Sequence, residues 1–372
     1  MTAPFVDPRL EAVFEKVENG HRLTFDDGLT LYQSPDLIGV GRLADRVRRR
    51  RHGNSAYYIV NQHLNYTNVC LNQCRFCAFS RQADESGGFT LSMAQVKKQL
   101  LDRIDEPICE LHIVGGLNPE LDLAYYLELL DTVRSVRPGA TLKAFTPVEI
   151  DRLAHIANLS VSDVISRLKA SGLKMLPGGG AEVLCDRIHD ELFPVKIAGH
   201  RWLEIMESVH DAGLPSNATM LYGHIETLEE RVNHLITLRT LQDKTGGFLA
   251  FIPLAFHSKN TQLAHLPATT AFDDLKNIAV PRLMLDNIAH IKAYWVMIGE
   301  KLAQVALSFG ADDLDGTVVE EKISHMAGAT SAKGLPRKAL DRLIRTAGFM
   351  PISRDSFYNP VAGGADREAS GS

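Results

Sequence analysis

Apolar positions along the chain fall into short β-rich runs separated by stretches with helical spacing. The runs cover residues 57–64, 110–115, 141–145, 172–176, 216–222, 248–254, 290–297 and 306–309. Between most of them the hydrophobic period changes from two to about 3.6, the mark of an amphipathic helix. Ser92 with Gln95 forms a capping box at one helix start, and Thr227 with Glu230 forms another. Leu123, Tyr126, Leu127, Leu130 and Val133 make a single apolar stripe. A helix opening at Ser160 stops at Gly172, because glycine takes the conformation that ends helices. Two more helices are expected over about 199–213 and about 272–288, the second kinked at Pro281.

Eight strands alternating with helices point to a parallel sheet, and eight is the number that closes an α/β barrel. The expected fold is therefore α/β, a (β/α)8 TIM-type barrel. Residues 1–55 read as an N-terminal helical cap with a β-turn at 26–28, and residues 56–314 as the barrel core. Residues 315–359 read as two C-terminal helices packed on the barrel, and the Gly/Ala/Ser-rich stretch 360–372 as a disordered tail.

The length of 372 residues suits two or three domains of ordinary size or, equally well, one such barrel. With 45% hydrophobic and 23% charged residues, the chain is not disordered, collagenous or coiled coil. A net charge of −5 lacks the basic bias of a nucleic-acid binder. The polar start MTAPFVDPRLE does not read as a signal peptide. Pro253 breaks the longest apolar run, 249–256, which falls short of the ~20 residues that span a bilayer. Neither nucleic acid nor membrane is expected as a partner. Five cysteines, three of them within eight positions, do not make a disulfide scaffold, and a reducing cytoplasm is the expected compartment. Arg46, Arg48, Arg49, Arg50 and Arg51 form a basic block. It reads either as a solvated helix end suited to the dipole or as an attractor for an acidic partner such as a small redox protein.

The chemistry concentrates after the first run. Cys70, Cys74 and Cys77 have the spacing C-x3-C-x2-C, with Phe76 just before the last. They lie where a barrel strand ends, the rim that carries activity in such folds. A structural zinc site wants four protein ligands, commonly as pairs. No second pair exists here, since Cys109 opens the second strand and Cys185 stands alone. Three thiolates match a [4Fe–4S] cluster with one iron left open to an outside ligand. The alternative is three cysteines packed as small hydrophobes. Other loops at this rim carry Gly115 and Gly116, where a ligand can approach the backbone, and a glycine run ending in Glu182. That run lacks the Lys-Ser or Lys-Thr of a phosphate loop. Glu182 reads as a ribose or ammonium partner, or as an acid at a helix start. Asn217 and Thr219 share one strand face, toward the lumen or satisfied in the core. His257 and Lys259 follow the sixth strand; Asp312, Asp313 and Asp315 follow the eighth and can cap a helix near Thr317. His112 reads as a core residue, and the lumen as apolar with few polar groups.

The cysteine motif resembles that of the radical S-adenosylmethionine superfamily. Within it, the strings HLNYTNVCLNQCRFCAFSR, HIVGGLNPEL, KAFTPVEI, LPGGGAEV, NATMLYGHIET, GGFLAFIPLAFH, RLMLDN, IKAYWVMIG and ALSFGADDLDGTVVEE resemble the aminofutalosine synthases of the futalosine route to menaquinone, over about residues 15–358. The resemblance implies that Cys70, Cys74 and Cys77 hold the cluster and that the methionyl amine and carboxylate of S-adenosylmethionine chelate the fourth iron. It places that co-substrate across Phe76, Gly115, Gly116, Glu182, Met220, Gly223 and Glu226. Leu117 stands where the family often has an acid. The implied reaction adds the 5′-deoxyadenosyl radical to the enolpyruvyl double bond of 3-[(1-carboxyvinyl)oxy]benzoate. Rearrangement, decarboxylation and return of an electron give 6-amino-6-deoxyfutalosine. Arg81, Asn217, Thr219, His257 and Lys259 are candidates for the two substrate carboxylates by strand-end position, and Arg282 by resemblance. A flavodoxin or ferredoxin is the implied electron donor. Cyclic dehypoxanthinylfutalosine synthase and the tyrosine-using subunit of deazaflavin synthesis share the cluster loop and stay open as alternatives. A non-catalytic iron–sulfur electron carrier is the alternative of a different class.

Overall fold

The computed structural model describes residues 5–361. In chain order the strands are β1 (Ser55–Ile59), β2 (Asn61–Leu64), β3 (Glu110–Ile113), β4 (Thr141–Ala144), β5 (Leu173–Met175), β6 (Ser216–Tyr222), β7 (Phe248–Ala255), β8 (His290–Ile291), β9 (Asp313–Gly316) and β10 (Met350–Arg354). β2–β3–β4–β5 and β6–β7–β8 are two parallel runs. The bridge Leu176–Ser216 joins them, and Lys292–Asp313 carries the ring on to β9. β9 pairs in parallel with β1, which leads through Val60 into β2. The ring is thus a closed parallel barrel of eight strand positions, with β1 and β2 as the two halves of the first. Helices Met93–Leu101, Leu123–Val136, Val161–Ala170, Gly199–Asp211, Leu228–Thr245 and Ala271–Met284 clothe it. Both expected capping boxes are formed. Pro281 lies inside the last of these helices.

Several elements differ from expectation. The first run divides because its neighbour changes: β1 pairs with β10 from Ser55–Met350 to Ile59–Arg354, whereas β2 pairs with β3. β10 follows helix Arg337–Thr346 and had no signal as a strand; the other helix after residue 315 is the short Ile323–Met326. The run 290–297 keeps strand geometry only through Ile291 and then turns into helix Trp295–Ile298. Residues 306–309 end helix Glu300–Ala306 and turn; the eighth strand is β9, all four residues of which are buried. Its acids hid it from a search for apolar runs. Asp313 accepts from Arg354 Nε at 2.7 Å and Asp315 from Lys292 Nζ at 2.7 Å, so neither caps a helix. The turn expected at 26–28 lies within helix Phe25–Gln33, opened by the capping box Thr24–Asp27. Helix Pro147–Ala157, opened by Thr146 and Glu149, went unseen in the apolar pattern. Of the expected tail, residues 362–372 lie outside the described residues.

The basic block ends helix Leu37–His52 and is consumed within the fold. Arg46 and Arg50 hold Glu18, and Arg49 holds Asp45. Arg48, fully buried, donates to the Ala311 and Gly53 carbonyls; Arg51 donates to those of Ile288 and Asp286. Beside them Arg282 is fully buried and donates to Gly310 O at 2.7 Å, Ala289 O at 2.8 Å and the Asp312 carboxylate. It braces the end of the barrel remote from the cysteines.

Asp312 keeps His290 and the Ile291 N–H if Arg282 is removed, but loses its permanent cation. Breaking a buried pair on one side costs ~3–5 kcal/mol. Arg282→Met should lower unfolding stability by about that amount in urea titration. A loss under ~1 kcal/mol would show that the hydrogen bonds alone hold Asp312.

Candidate active site

A cavity of about 360 Å³ opens at the C-terminal ends of the strands and is lined by Cys70, Cys74 and Cys77. Backbone bonds stitch their loop to its surroundings: Cys70 N to Arg81 O at 3.0 Å, Leu71 N to Leu117 O at 3.1 Å, Arg75 N to Leu192 O at 2.9 Å. Gly116 N donates to Thr67 O at 2.9 Å. A Cβ on Gly116 would lie 2.2 Å from Val69 O, and one on Gly115 2.7 Å from the Tyr66 ring. These two glycines are therefore demanded by the path of the cysteine loop itself. Gly115 also lines the cavity.

Burial pushes the Cys70 thiol up, and that of Cys74 to about 12. Bound metal reverses this, because thiolate is the ligand form. The remaining thiols are engaged elsewhere: Cys109 Sγ lies 3.3 Å from Val60 O, and Cys185 Sγ 3.1 Å from Glu230 Oε1. A single zinc ion at ~2.3 Å from each sulfur would draw three of them to within ~4 Å of one another. Among the described residues only His52, His290 and Asp312 bring three ligand atoms within 4.8 Å; the three cysteines do not. Three thiols on one cavity wall, with Cys109 and Cys185 engaged elsewhere, are the donor set of a [4Fe–4S] cluster with one iron open. The His–His–Asp group lies at the far end, with Asp312 already held by Arg282.

Beside the cysteines stands a pair that sequence reasoning half found. Glu182 Oε1 accepts from Lys196 Nζ at 2.6 Å, and both line the cavity. Lys196 Nζ lies 5.3 Å from the Phe76 ring centroid and 4.0 Å from that of Phe193. Glu182 adopts φ 50°, a left-handed conformation, and its carbonyl accepts from Leu221 N at 3.0 Å. Helix Asp186–Leu192 begins only later, so Glu182 is not its first-turn acid.

The other named residues separate. Phe76, Thr219 and His257 line the cavity. Thr219 Oγ1 donates to Gly178 O at 3.2 Å; His257 Nε2 lies 3.0 Å from Met297 O. Met220 is fully buried in the hydrophobic core and does not line the cavity, because strand alternation sends Thr219 and Leu221 there instead. Gly223 and Glu226 form a closed loop outside it: the Glu226 carboxylate accepts from Gly223 N at 2.6 Å, His224 N at 2.9 Å and Arg231 Nε at 2.8 Å. Arg81 donates to Ala78 O and Ser80 O, bracing the cysteine loop. Asn217 is buried outside the cavity lining, Lys259 is exposed, and Arg282 is at the opposite end.

The lumen is not apolar. His63, His112, Lys143, Asp315 and Glu321 also line the cavity. Lys143 Nζ meets Glu110 Oε1 at 2.5 Å, with both side chains buried. His112 was read as core; it and Lys143 carry no helical or metal-ligand spacing that would mark them. Glu149, the third residue of helix Pro147–Ala157, is also on the wall. It accepts from Tyr66 OH at 2.6 Å, Thr146 N at 2.6 Å and Gly115 N at 3.3 Å. Burial outweighs these bonds and pushes its carboxyl up to about 7.

Two outcomes follow from this geometry. Alanine at Cys70, Cys74 or Cys77 should abolish iron uptake on anaerobic reconstitution while the far-UV spectrum stays native; alanine at Cys109 or Cys185 should leave iron content unchanged. Loss of iron in folded Cys109→Ala protein would refute this ligand set. For Glu149, the ordinary value of 4.5 applies unfolded and about 7 folded. Its contribution is fully present below 4.5 and fades as the pH rises to about 7. The loss is ~3 kcal/mol. The metal-free wild type should therefore lose more stability than Glu149→Gln between pH 4.5 and 7.5, by about that amount in urea titrations. Parallel curves would contradict it.

Known proteins bear on this arrangement. Residues 64–238 match the family model of the radical SAM superfamily, and residues 245–364 that of the CofH/MqnC C-terminal region. The chain is 45% identical over 359 residues to an aminodeoxyfutalosine synthase of Thermus thermophilus, covering 95% of this chain and 96% of the relative. It is 40% identical over 320 residues to a 5-amino-6-(D-ribitylamino)uracil–L-tyrosine 4-hydroxyphenyl transferase of Archaeoglobus fulgidus, covering 86% and 92%. The crystal structure of a methylornithine synthase superposes with a TM-score of 0.74 at 19% identity, covering 91% of this chain and 97% of that one, a likeness of fold. With a close relative matched over nearly its whole length, and three cysteines on the cavity wall, the chain belongs to the radical SAM superfamily and, within it, to the family that contains the aminodeoxyfutalosine synthases.

Proposed function

We propose that this protein joins the 5′-deoxyadenosyl group of S-adenosylmethionine to 3-[(1-carboxyvinyl)oxy]benzoate and releases 6-amino-6-deoxyfutalosine, a step of menaquinone synthesis. The observation that carries the reading is one cavity holding three cysteines at its rim and paired charges below, on a chain 45% identical to an aminodeoxyfutalosine synthase. Cys70, Cys74 and Cys77 would hold a [4Fe–4S] cluster, which when bound would supply the electron for cleavage of the co-substrate's sulfonium. Lys196 complements the carboxylate of its methionyl end, and Glu182 can accept from the N–H groups of the amine. Phe76 covers them, and the Gly115 backbone leaves room beside the cysteines.

Val148, Ile252, Leu254 and Phe256 also line the wall. They offer a radical no O–H or N–H and keep out water. Thr219 and His257 are among the polar residues of the cavity, held in place by Gly178 and Met297. Fixed walls of this kind suit a reaction that needs the 5′ carbon and the enol ether held at contact distance. Among the described residues no helix is long and apolar enough to cross a membrane. All five cysteines are unpaired, which suits a reducing compartment. We assign the protein to the cytoplasm, with flavodoxin or ferredoxin as electron donor.

The test is product analysis. Reduced, reconstituted protein given S-adenosylmethionine and the enolpyruvyl benzoate should yield an adenosine-bearing adduct that has lost one carboxylate, seen by mass spectrometry. Free 5′-deoxyadenosine with the benzoate untouched would move the activity to a hydrogen-abstracting relative, such as the tyrosine-using transferase or the cyclic dehypoxanthinylfutalosine synthase.

A further inference from the structure

We propose that His63, His112 and Lys143 form the seat of the substrate's ring carboxylate; the inference deepens the reaction just assigned and rests on it. Parallel register places His63 opposite His112, and His112 opposite Lys143, so three neighbouring strands present them at one level of the lumen. All three line the same cavity as the cysteines. The two imidazoles stack with centroids 4.4 Å apart and planes 6° from parallel. His63 is 6% exposed, and its buried Nε2 has no partner. Lys143 spends one N–H on Glu110 and, as an ammonium, has others to give.

The acids on the cavity wall are already served. Glu149 has Tyr66, Glu182 has Lys196, Asp315 has Lys292, and Glu321 has the Ser324 N–H and His325. The wall's carboxylates are thus engaged, while each imidazole keeps one N–H and the Lys143 ammonium keeps further N–H groups for an anion. A carboxylate receiving imidazole N–H and ammonium bonds would repay the burial of those groups.

The substrate has two carboxylates, and the reaction separates them. Its methylene must face the cysteine end, where the adenosyl carbon arrives. The enolpyruvyl carboxylate sits on the next carbon, so it stays near that end. The ring carboxylate lies beyond the ether oxygen and the ring, and it alone reaches the floor. Charge points the same way. The enolpyruvyl carboxylate is the one lost, and hydrogen-bond donors fixed on it would hold it against departure; the ring carboxylate is retained.

The experiment pairs two variants with two ligands. His63→Phe and His112→Phe keep a ring in the stack and remove its N–H. Each is compared with wild type for the enolpyruvyl benzoate and for 2-phenoxyacrylate, the same ether without the ring carboxylate. Equilibrium binding is read calorimetrically on unreduced, cluster-loaded protein holding S-adenosylmethionine, and kcat/KM from adenosylated product. Each variant should weaken benzoate binding roughly tenfold to a hundredfold and leave 2-phenoxyacrylate within about threefold. Iron content and the change in the reduced cluster's EPR signal on adding S-adenosylmethionine should match wild type. Equal losses for both ligands would overturn the seat. Should a variant not fold, wild type alone decides: a benzoate preference of the same size supports the seat, and equal affinities overturn it. Seat-dependent binding without adenosylated product would refute the reaction while upholding the seat. Product formed with seat-independent binding would refute the seat alone.

Discussion

Charge pairing inside the barrel is the constraint on which the rest of this structure depends. Glu110 and Lys143 join β3 to β4, Lys292 just past β8 holds Asp315 of β9, and Asp313 and Arg354 tie β9 to β10 across β1. Each of these groups is buried, and a buried charge is tolerable only with a partner in good geometry. Strand register and ring closure are therefore bound up with electrostatics: a slipped strand would strand a charge in the lumen. The pairs also fill the lower lumen, so the open volume is left at the cysteine end. Fold and site share one cause.

The cysteine loop adds a steric condition to the electrostatic one. It crosses so close to the end of β3 that neither Gly115 nor Gly116 has room for a Cβ. Arg81 holds the far side of the loop through the Ala78 and Ser80 carbonyls. The three thiols are thus presented by a loop fixed on both flanks. A rigid mount of this kind suits chemistry in which the distance to the reacting carbon decides the outcome.

Legibility from sequence followed the physics of each element. β6 matched its expected bounds, 216–222, since all seven residues are buried and turn residues flank it. β9 was missed because its sequence, Asp-Leu-Asp-Gly, reads as a solvated turn until the cations opposite it are known. β10 was missed for want of an alternating pattern. The cysteines were legible because coordination chemistry imposes a spacing on the chain. Lys196, Glu149, His63 and Lys143 obey no such spacing; their convergence is created by register and by loops whose paths are set elsewhere. Glu226 shows what a motif leaves out: the family-like step gives no hint that its carboxylate caps its own loop.

β10 has a consequence for how the molecule comes into being. It supplies the partner of β1 from nearly three hundred residues downstream, Met350 beside Ser55. Closing so long a stretch before any contact rewards it makes for high contact order and slow assembly. A nascent chain emerging from the ribosome would hold β1 with an unpaired flank until the last strand is free of the exit tunnel. Over that interval the open edge is a template for pairing with other chains. A topology of this kind weighs on the path of assembly more than on final stability.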